Sequence, residues 1–170
     1  MNKYLLIGLF LLVFLFGGFF LVSQPYVRTT NPDIESGKIT TNQSQINMTD
    51  LNVRSVKIAG REVNVDLALT VDEQRRGLSG RKNLEEDEGM LFIFGSEGIY
   101  SFWMKDMNFP IDIIWINKDL KIIYVKEKAL PESYPESFSP GEKALYVLEV
   151  PAGFSEKNNV ETGDSVEFVY

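Results

Sequence analysis

The chain has 170 residues, a formal net charge of −7, and neither cysteine nor histidine. These absences exclude disulfides, thiolate or imidazole metal ligands and a histidine general base. Residues 1–52 hold three basic and three acidic residues, so the whole −7 lies on the remainder of the chain. Nucleic acids are bound mainly through basic contacts to phosphate, so this charge argues against a nucleic-acid partner. We predict no metal site and no cofactor.

An uncharged apolar run, residues 4–22, follows Lys3 at the N-terminus. A helix of this length, at about 1.5 Å per residue, crosses most of a ~30 Å hydrocarbon core. We predict a retained transmembrane signal anchor over residues 4–22, with residues 1–3 in the cytoplasm. The protein would then be a single-pass cell-membrane protein with its C-terminal domain outside the cytoplasm. A cleaved signal peptide is the alternative, but its apolar region is usually shorter.

The remainder divides into a polar segment and a domain. Residues 23–52 are rich in Ser, Thr, Asn, Gln and Pro, which predicts a flexible linker. Residues 53–170 are rich in Val, Ile and aromatic residues, which indicates a globular domain that buries its own core. The expected fold class is β-rich α+β. Mainly antiparallel strands would form a compact half-open barrel or sandwich with one or two short helices.

Local patterns predict the elements of this domain in chain order. A strand over 53–58 and an alternating strand over 63–69 form a hairpin across Ala59 and Gly60. Thr70 and Glu73 have the spacing of a capping box, so a short helix follows and ends near Gly77. Further strands are predicted over 90–94, 100–104, 111–116, 120–126, 145–150 and 165–170, with a long loop over 127–143.

Six short motifs follow one another along the domain. They are Glu73-x-x-Arg76-Gly77-Leu78-x-x-Arg81, Gly89-Met90-Leu91-Phe92-x-Phe94, Phe102-Trp103-Met104-Lys105, Pro110-x-Asp112-Ile113-Ile114, Tyr146-Val147-Leu148-Glu149-Val150-Pro151-Ala152-Gly153 and Gly163-Asp164. On these motifs, residues 63–170 resemble the family catalogued as domain of unknown function 192. The resemblance implies a compact β-rich fold of the half-open-barrel type, in a largely prokaryotic and commonly exported family, and it implies no reaction. The chain departs from the family at Asp106 and Met107, where Asn and Thr usually stand.

Two acidic residues interrupt apolar strands and are the first candidate site residues. Asp112 shares a strand face with Ile114 and Ile116, and Glu149 lies in a similar apolar run. A buried carboxylate must be paired or neutralised. The candidate partners are cations in the family motifs: Arg76, Arg81 and Lys105. Two hypotheses remain open, a polar site with shifted pKa values and an ion-pair network that fixes the short helix to the sheet.

Aromatic residues form a second candidate group. Trp103 shares a strand face with Ser101 and Lys105, and is either a platform for a flat ligand or a side chain packed under the long loop. Tyr134 and Phe138 lie in that loop and could close over Trp103 in either case.

Three functions are compatible with these residues, and an enzyme is the less favoured class. The preferred hypothesis is a non-catalytic module that binds a small ligand or an envelope protein. The first alternative is a carboxylate-dependent enzyme that acts on an envelope carbohydrate. The second is a purely structural domain with an internal ion-pair network. No Gly-x-Ser-x-Gly motif is present, and no histidine can serve as its base.

Overall fold

The computed structural model describes residues 52–170. The predicted anchor, residues 4–22, and the predicted linker, apart from its last residue, lie outside this part of the chain. Within the described residues, no helix combines the length and the apolar character that a membrane crossing needs.

The described region contains nine strands, two α-helices and one short 3-10 helix. The strands are β1 (Ser55–Ile58), β2 (Arg61–Ala68), β3 (Glu88–Gly98), β4 (Phe102–Trp103), β5 (Ile111–Ile116), β6 (Ile122–Ala129), β7 (Ser137–Phe138), β8 (Ala144–Pro151) and β9 (Val166–Val169). The α-helices are α1 (Val71–Arg76) and α2 (Phe154–Asn158), and the 3-10 helix is Pro131–Ser133. This composition confirms the predicted β-rich domain with one or two short helices, and the number of α-helices is two.

Seven of these strands form one sheet in the order β6-β5-β8-β3-β2-β1-β9. All neighbouring pairs are antiparallel except β2 and β3, whose parallel pairing requires a crossover that contains α1. The two ends of the sheet approach each other where Lys121 pairs with Ser165 in an isolated antiparallel bridge. The Val166 N–H also donates to the Leu120 carbonyl at 2.9 Å. The sheet therefore curls into a half-barrel, the first of the two predicted architectures.

Each face of the curled sheet carries its own apolar cluster. The inner cluster contains Ile114 and Ile116 of β5 and Leu148 and Val150 of β8, together with Phe154 of α2. The outer cluster contains side chains from the alternate positions of the same strands and from β3: Phe92, Ile111, Ile113, Trp115 and Val147. Because β5 and residues 147–150 of β8 are buried on both faces, a polar side chain at these positions lies in an apolar environment.

The local patterns around α1 form as predicted. The hairpin between β1 and β2 turns at Ala59 and Gly60, both with positive φ. Thr70 and Glu73 form the capping box: the Glu73 N–H donates to Thr70 Oγ1 at 3.3 Å, and the Thr70 N–H donates to Glu73 Oε2 at 2.9 Å. Gly77 ends the helix with φ +50°. Residues close in sequence determine these features, which is why local patterns predict them.

Two regions differ from the prediction. The strand expected over 100–104 consists only of β4, and β4 pairs with β7, which lies inside the expected long loop 127–143. This pairing places Phe102 opposite Phe138, so a contact between distant segments orders the loop. Helix α2 was not predicted, because its N-cap, Gly153, provides no side-chain hydrogen bond.

Candidate functional site

The outer face of the sheet carries a cleft of about 170 Å³ between α1 and β4, here named the α1–β4 cleft. Its walls come from α1 and the turn after it, from the end of β3 and from the segment that leads into β4. The lining residues are Gln74, Arg75, Arg76, Gly77, Leu78, Ser79, Phe92, Phe94, Tyr100, Ser101, Phe102, Trp103, Met107 and Glu149. Glu149, Arg76, Trp103 and Ser101 were predicted as site residues, and the fold brings these four together.

Glu149 of β8 is a buried polar residue of the cleft. Only 5% of it is exposed, and its Oε2 atom has no hydrogen-bond partner. Gly77 keeps the space beside this atom open, because a Cβ at position 77 would lie 3.8 Å from Glu149 Oε2 and 3.3 Å from Phe92 Cζ. In the described region the other buried side-chain atom without a partner is Ser155 Oγ, a neutral hydroxyl. A carboxyl group in this position is far more costly to leave unsatisfied.

Burial raises the pKa of Glu149 to about 8. The charge of Arg81 acts in the opposite direction and lowers this pKa, but burial has the larger effect. Arg81 is already engaged, since its Nη2 atom lies 2.5 Å from Asp66 Oδ2. At neutral pH the Glu149 carboxyl is therefore mainly protonated, and it can both donate and accept a hydrogen bond.

Arg76 contributes a positive charge to the exposed side of the cleft. It is the last residue of α1, and within residues 52–170 no carboxylate lies close enough to form an ion pair with it. Its charge helps to lower the pKa of Glu73, although hydrogen bonds from the Thr70 and Leu69 amides have larger effects. Neighbouring Arg75 differs, because its Nη1 atom lies 3.4 Å from Asp72. The guanidinium of Arg76 is thus available to an anionic group.

Aromatic side chains form much of the remaining surface of the cleft. Trp103 is 50% exposed, and its ring centroid lies 6.3 Å from that of Tyr134, itself 45% exposed, at an edge-to-face angle of 78°. Phe94 and Tyr100 stack with an angle of 8° between their planes. The Trp103 side chain therefore contacts Tyr134 of the long loop but is only half covered. It presents half of its surface to solvent beside the cleft.

Asp112 lies on the opposite face of the sheet from Glu149. In the pairing of β5 with β8, Asp112 is opposite Val150, whereas Glu149 is opposite Ile113 one position along. Asp112 is fully buried and accepts hydrogen bonds from the backbone amides of Lys128, Gly153 and Ser155 at 2.8, 3.1 and 2.8 Å. The expected pairing of Asp112 with Arg76, Arg81 or Lys105 is wrong, because backbone amides take the place of the cation.

Four other predicted residues do not line the α1–β4 cleft: Arg81, Lys105, Phe138, and Tyr134, which contacts Trp103 beside it. Arg81 pairs with Asp66 and borders a separate shallow cleft with it. Lys105 is exposed, and its carbonyl oxygen accepts a hydrogen bond from Ser79 Oγ at 2.9 Å. Phe138 is buried beneath Lys126, whose Nζ atom lies 4.6 Å from the ring centroid. Phe138 therefore packs in the interior and cannot act as part of a ligand platform.

Several residues of the cleft were not predicted as site residues. Gly77 was interpreted only as a helix end, and Phe94 and Tyr100 only as strand residues. The one local signal was Gly77 directly after Arg76 in a family motif, because a glycine is also used where a side chain would block close approach. Within residues 52–170, no group of three or more acidic side chains converges on a point that could hold a metal ion.

The chain has recognisable relatives. The model of the family described as "Uncharacterized ACR", domain of unknown function 192, matches residues 54–168. A solved structure from Sinorhizobium meliloti 1021, described as a candidate transcription regulator, is 32% identical with a TM-score of 0.63, over 67% of this chain and 90% of that one. A protein of unknown function from Novosphingobium aromaticivorans DSM 12444 is 28% identical with a TM-score of 0.64, over 68% and 84%. No curated protein matches the chain.

Proposed function

Because the chain belongs to the family of domain of unknown function 192, whose description names no reaction, we propose a function from the site alone. The domain is a non-catalytic module that binds a small ligand in the α1–β4 cleft. The Sinorhizobium relative is described as a candidate transcription regulator, but the −7 net charge of this domain disfavours contact with nucleic acid.

The unpartnered carboxyl of Glu149 is the observation that carries this proposal. A buried polar group without a hydrogen bond destabilises a fold by about 1–3 kcal/mol. If position 149 contributed only to the stability of the fold, an apolar residue there would stabilise the domain more than Glu149 does. A ligand in the cleft beside Gly77 can reach this carboxyl and supply the missing hydrogen bond.

The dimensions and surface of the cleft favour a small molecule over an envelope protein as the ligand. Cavities of about 150 Å³ hold a benzene-sized molecule, and the α1–β4 cleft measures about 170 Å³. Trp103 provides an exposed ring against which a flat group can stack, and Arg76 provides a positive charge at the same opening. Few polar groups among aromatic walls are typical of small-ligand sites.

The alternative of a paired-carboxylate enzyme has less support. Glycoside hydrolysis commonly uses two carboxyl groups on either side of one bond. Asp112 and Glu149 were the candidate pair, but they project from opposite faces of the sheet. Glu149 is the sole carboxylic acid among the residues that line the cleft. The structural alternative also loses support, because Glu149 forms no ion pair with Arg76, Arg81 or Lys105.

The location of the domain is a further part of the proposal. The apolar run of residues 4–22 is long enough to anchor the chain in a membrane, and the polar residues 23–52 would tether the domain near its outer surface. The ligand would then be a compound present outside the cytoplasm.

A binding screen on the full-length protein tests the proposed function. Melting temperatures are measured with panels of amino acids, sugars, nucleotides, cell-wall fragments and divalent cations. A ligand at 100 times its Kd adds about 2.7 kcal/mol to stability, which raises the melting temperature by several degrees. Trp103→Ala should remove the shift, whereas Tyr170→Ala, a control at an exposed aromatic residue away from the cleft, should keep it. A shift that survives both Trp103→Ala and Glu149→Gln would place the ligand elsewhere and overturn the proposal.

A further inference from the structure

On the premise that the α1–β4 cleft binds a small ligand, we propose that this ligand is a small zwitterion with the chemistry of an amino acid. Its ammonium group pairs with the Glu149 carboxyl, and its carboxylate pairs with Arg76. The rest of the molecule packs against Trp103. All three residues line the same cleft of about 170 Å³.

Glu149 calls for a ligand group that donates hydrogen bonds and carries positive charge. Its Oε2 atom is buried and accepts no hydrogen bond from the protein. An ammonium group offers three donors, and its charge compensates a carboxylate held away from water. The aromatic walls add to this preference, because aromatic faces attract cations within about 6 Å. Phe92, Phe94 and Trp103 are among these walls.

Arg76 favours a ligand group that carries a negative charge. A planar guanidinium matches a carboxylate in a two-point contact, and Arg76 has no ion-pair partner in the described part of the chain. A simple amine would meet the repulsion of Arg76, which is unpaired among the described residues and lines the same cleft. A simple carboxylate would leave Glu149 without a donor. A zwitterion satisfies both side chains at once.

The volume of the cleft limits the size of the ligand. A cavity of about 150 Å³ accepts a molecule of six ring carbons, so a cleft of about 170 Å³ accommodates a free amino acid. A bulkier substituent can extend towards Trp103 and Tyr134, where the cleft opens to solvent. We therefore expect free amino acids, or the end of a short peptide, as ligands.

Binding of an ammonium group should be coupled to ionisation of Glu149. The charged and titratable groups around this carboxyl are Arg76 at the end of α1, Arg81 after α1, Asp66 of β2, which pairs with Arg81, and Tyr100 before β4. Burial raises the pKa of Glu149 to about 8, so the free protein holds this proton at pH 7. An ammonium ligand favours the ionised form and displaces the proton. Affinity should therefore rise about tenfold per pH unit from pH 6 towards pH 8.

Calorimetric titration of the full-length protein tests these expectations. The probes are the common L-amino acids and their D-enantiomers at pH 6, 7 and 8. For each amino acid that binds, the corresponding acid without the amine and the corresponding amine without the carboxylate are titrated as well. We expect each truncated compound to bind at least tenfold more weakly. We also expect release of nearly one proton at pH 7, measured from the dependence of the heat on the buffer.

Two variants assign the two charges to their protein partners. Glu149→Gln should weaken amino-acid binding at least tenfold and remove its pH dependence. Arg76→Gln should weaken binding of the amino acid but not of the matching amine. Lys143→Gln removes an equal charge from an exposed loop residue outside the cleft and should change neither. Melting temperatures of all three variants show whether a loss of binding reflects a loss of fold.

The outcomes separate this proposal from the proposed function. Equal binding of an amino acid and one of its truncated analogues overturns the zwitterion, as does an affinity that falls between pH 6 and pH 8. Absence of binding by every amino acid also overturns it. If a neutral or singly charged compound binds the wild type but not Trp103→Ala, the zwitterion proposal fails and the cleft remains a binding site. If no compound of any class depends on Trp103 or Glu149, both proposals fail.

Discussion

Asp112 and Glu149 are two buried carboxylic acids on adjacent strands, yet they have opposite surroundings. Asp112 faces the inner side of the half-barrel and accepts three backbone hydrogen bonds. Glu149 faces the outer side and has an oxygen with no partner. Asp112 connects β5, the bend at Lys128 and the start of α2, so it has a clear structural role. No hydrogen bond joins Glu149 Oε2 to another element within the described residues, and this difference is the basis of the proposed ligand site.

The two helices reflect the same contrast. Thr70 and Glu73 cap α1 through a local motif that spans only four residues. α2 has no side-chain cap of its own, and Asp112, more than 40 residues earlier, accepts hydrogen bonds from its first turn. The start of α2 therefore depends on a long-range contact with a buried acid, whereas the start of α1 depends on neighbouring residues.

The largest expected effect concerns the pH dependence of stability at Glu149. The folded-state pKa of about 8 lies above the unfolded value of 4.5. Between these values the folded state holds a proton that the unfolded state has released, so stability falls as pH rises. The loss amounts to about 1.4 kcal/mol per pH unit, or about 5 kcal/mol in total at pH 8 and above. Glu149→Gln should not show this loss.

Urea unfolding of the wild type and Glu149→Gln at pH 5, 7 and 9 measures this effect. The difference between the two proteins isolates Glu149 from all other titrating groups. The stability of Glu149→Gln relative to the wild type should increase from pH 5 to pH 7 and again from pH 7 to pH 9. Parallel profiles would mean that Glu149 ionises normally in the folded state, and the contrast with Asp112 would disappear.

Asp112→Ala should have the next largest effect. The substitution leaves three backbone amides without their acceptor, and each unsatisfied donor costs about 1–3 kcal/mol when buried. We expect a loss of about 4 kcal/mol in the free energy of unfolding, measured by urea denaturation. Asp112→Asn keeps one acceptor oxygen and should lose about 2 kcal/mol.

Glu142→Ala is the control for Asp112→Ala, because Glu142 is an exposed acid in a loop. It should change stability by no more than about 0.5 kcal/mol. A loss below about 1 kcal/mol in Asp112→Ala would contradict the structural role assigned to this residue.

The sequence predicts some parts of this contrast and not others. Alternation along β5 correctly places Asp112 with Ile114 and Ile116, and the capping box correctly places the start of α1. Both features depend on residues close together in the chain. Alternation within one strand says nothing about the register between two strands, and that register puts Asp112 and Glu149 on opposite faces. A shared site for the two acids was therefore a reasonable but wrong expectation.

The same limit applies to the cleft. Arg76, Ser101, Trp103 and Glu149 were recognised as unusual residues, and they do meet. The partner of Asp112 was not recognised, because backbone amides carry no sequence signature. The packing of Phe138 depends on the pairing of two-residue strands 35 positions apart, a contact with too little sequence for a pattern. The sequence therefore predicts features that neighbouring residues determine. It does not predict the long-range contacts that place each residue on one face of the sheet.

Gly77→Ala should have an intermediate effect on stability, and it tests the packing at the wall of the cleft. Gly77 has φ +50°, and a Cβ there would lie 3.3 Å from Phe92 Cζ. Backbone strain and crowding together should lower stability by about 3 kcal/mol. Gly80→Ala is the matched control, since Gly80 has φ +78° but open space around its Cβ position. It should lose about 1 kcal/mol through strain alone.

The difference between Gly77→Ala and Gly80→Ala, measured by urea denaturation, reports the crowding at the floor of the cleft. Gly77→Ala should also weaken any ligand that contacts Glu149, whereas Gly80→Ala should not. Equal losses of stability in the two variants would mean that Phe92 moves freely aside, and that the space beside Glu149 is not fixed.

Thr70→Ala should have the smallest effect and provides the counterpart to Asp112→Ala. It removes the side-chain acceptor for the Glu73 N–H at the start of α1. Thr70 is exposed, so water replaces the lost hydrogen bond, and the expected loss is about 1 kcal/mol by urea denaturation. Thr162→Ala, at an exposed threonine in a turn, should have almost no effect. A loss in Thr70→Ala as large as that in Asp112→Ala would mean that α1 is as tightly coupled to the fold as α2. The wall of the cleft would then be part of the rigid core, and ligand binding there would have to proceed without movement of α1.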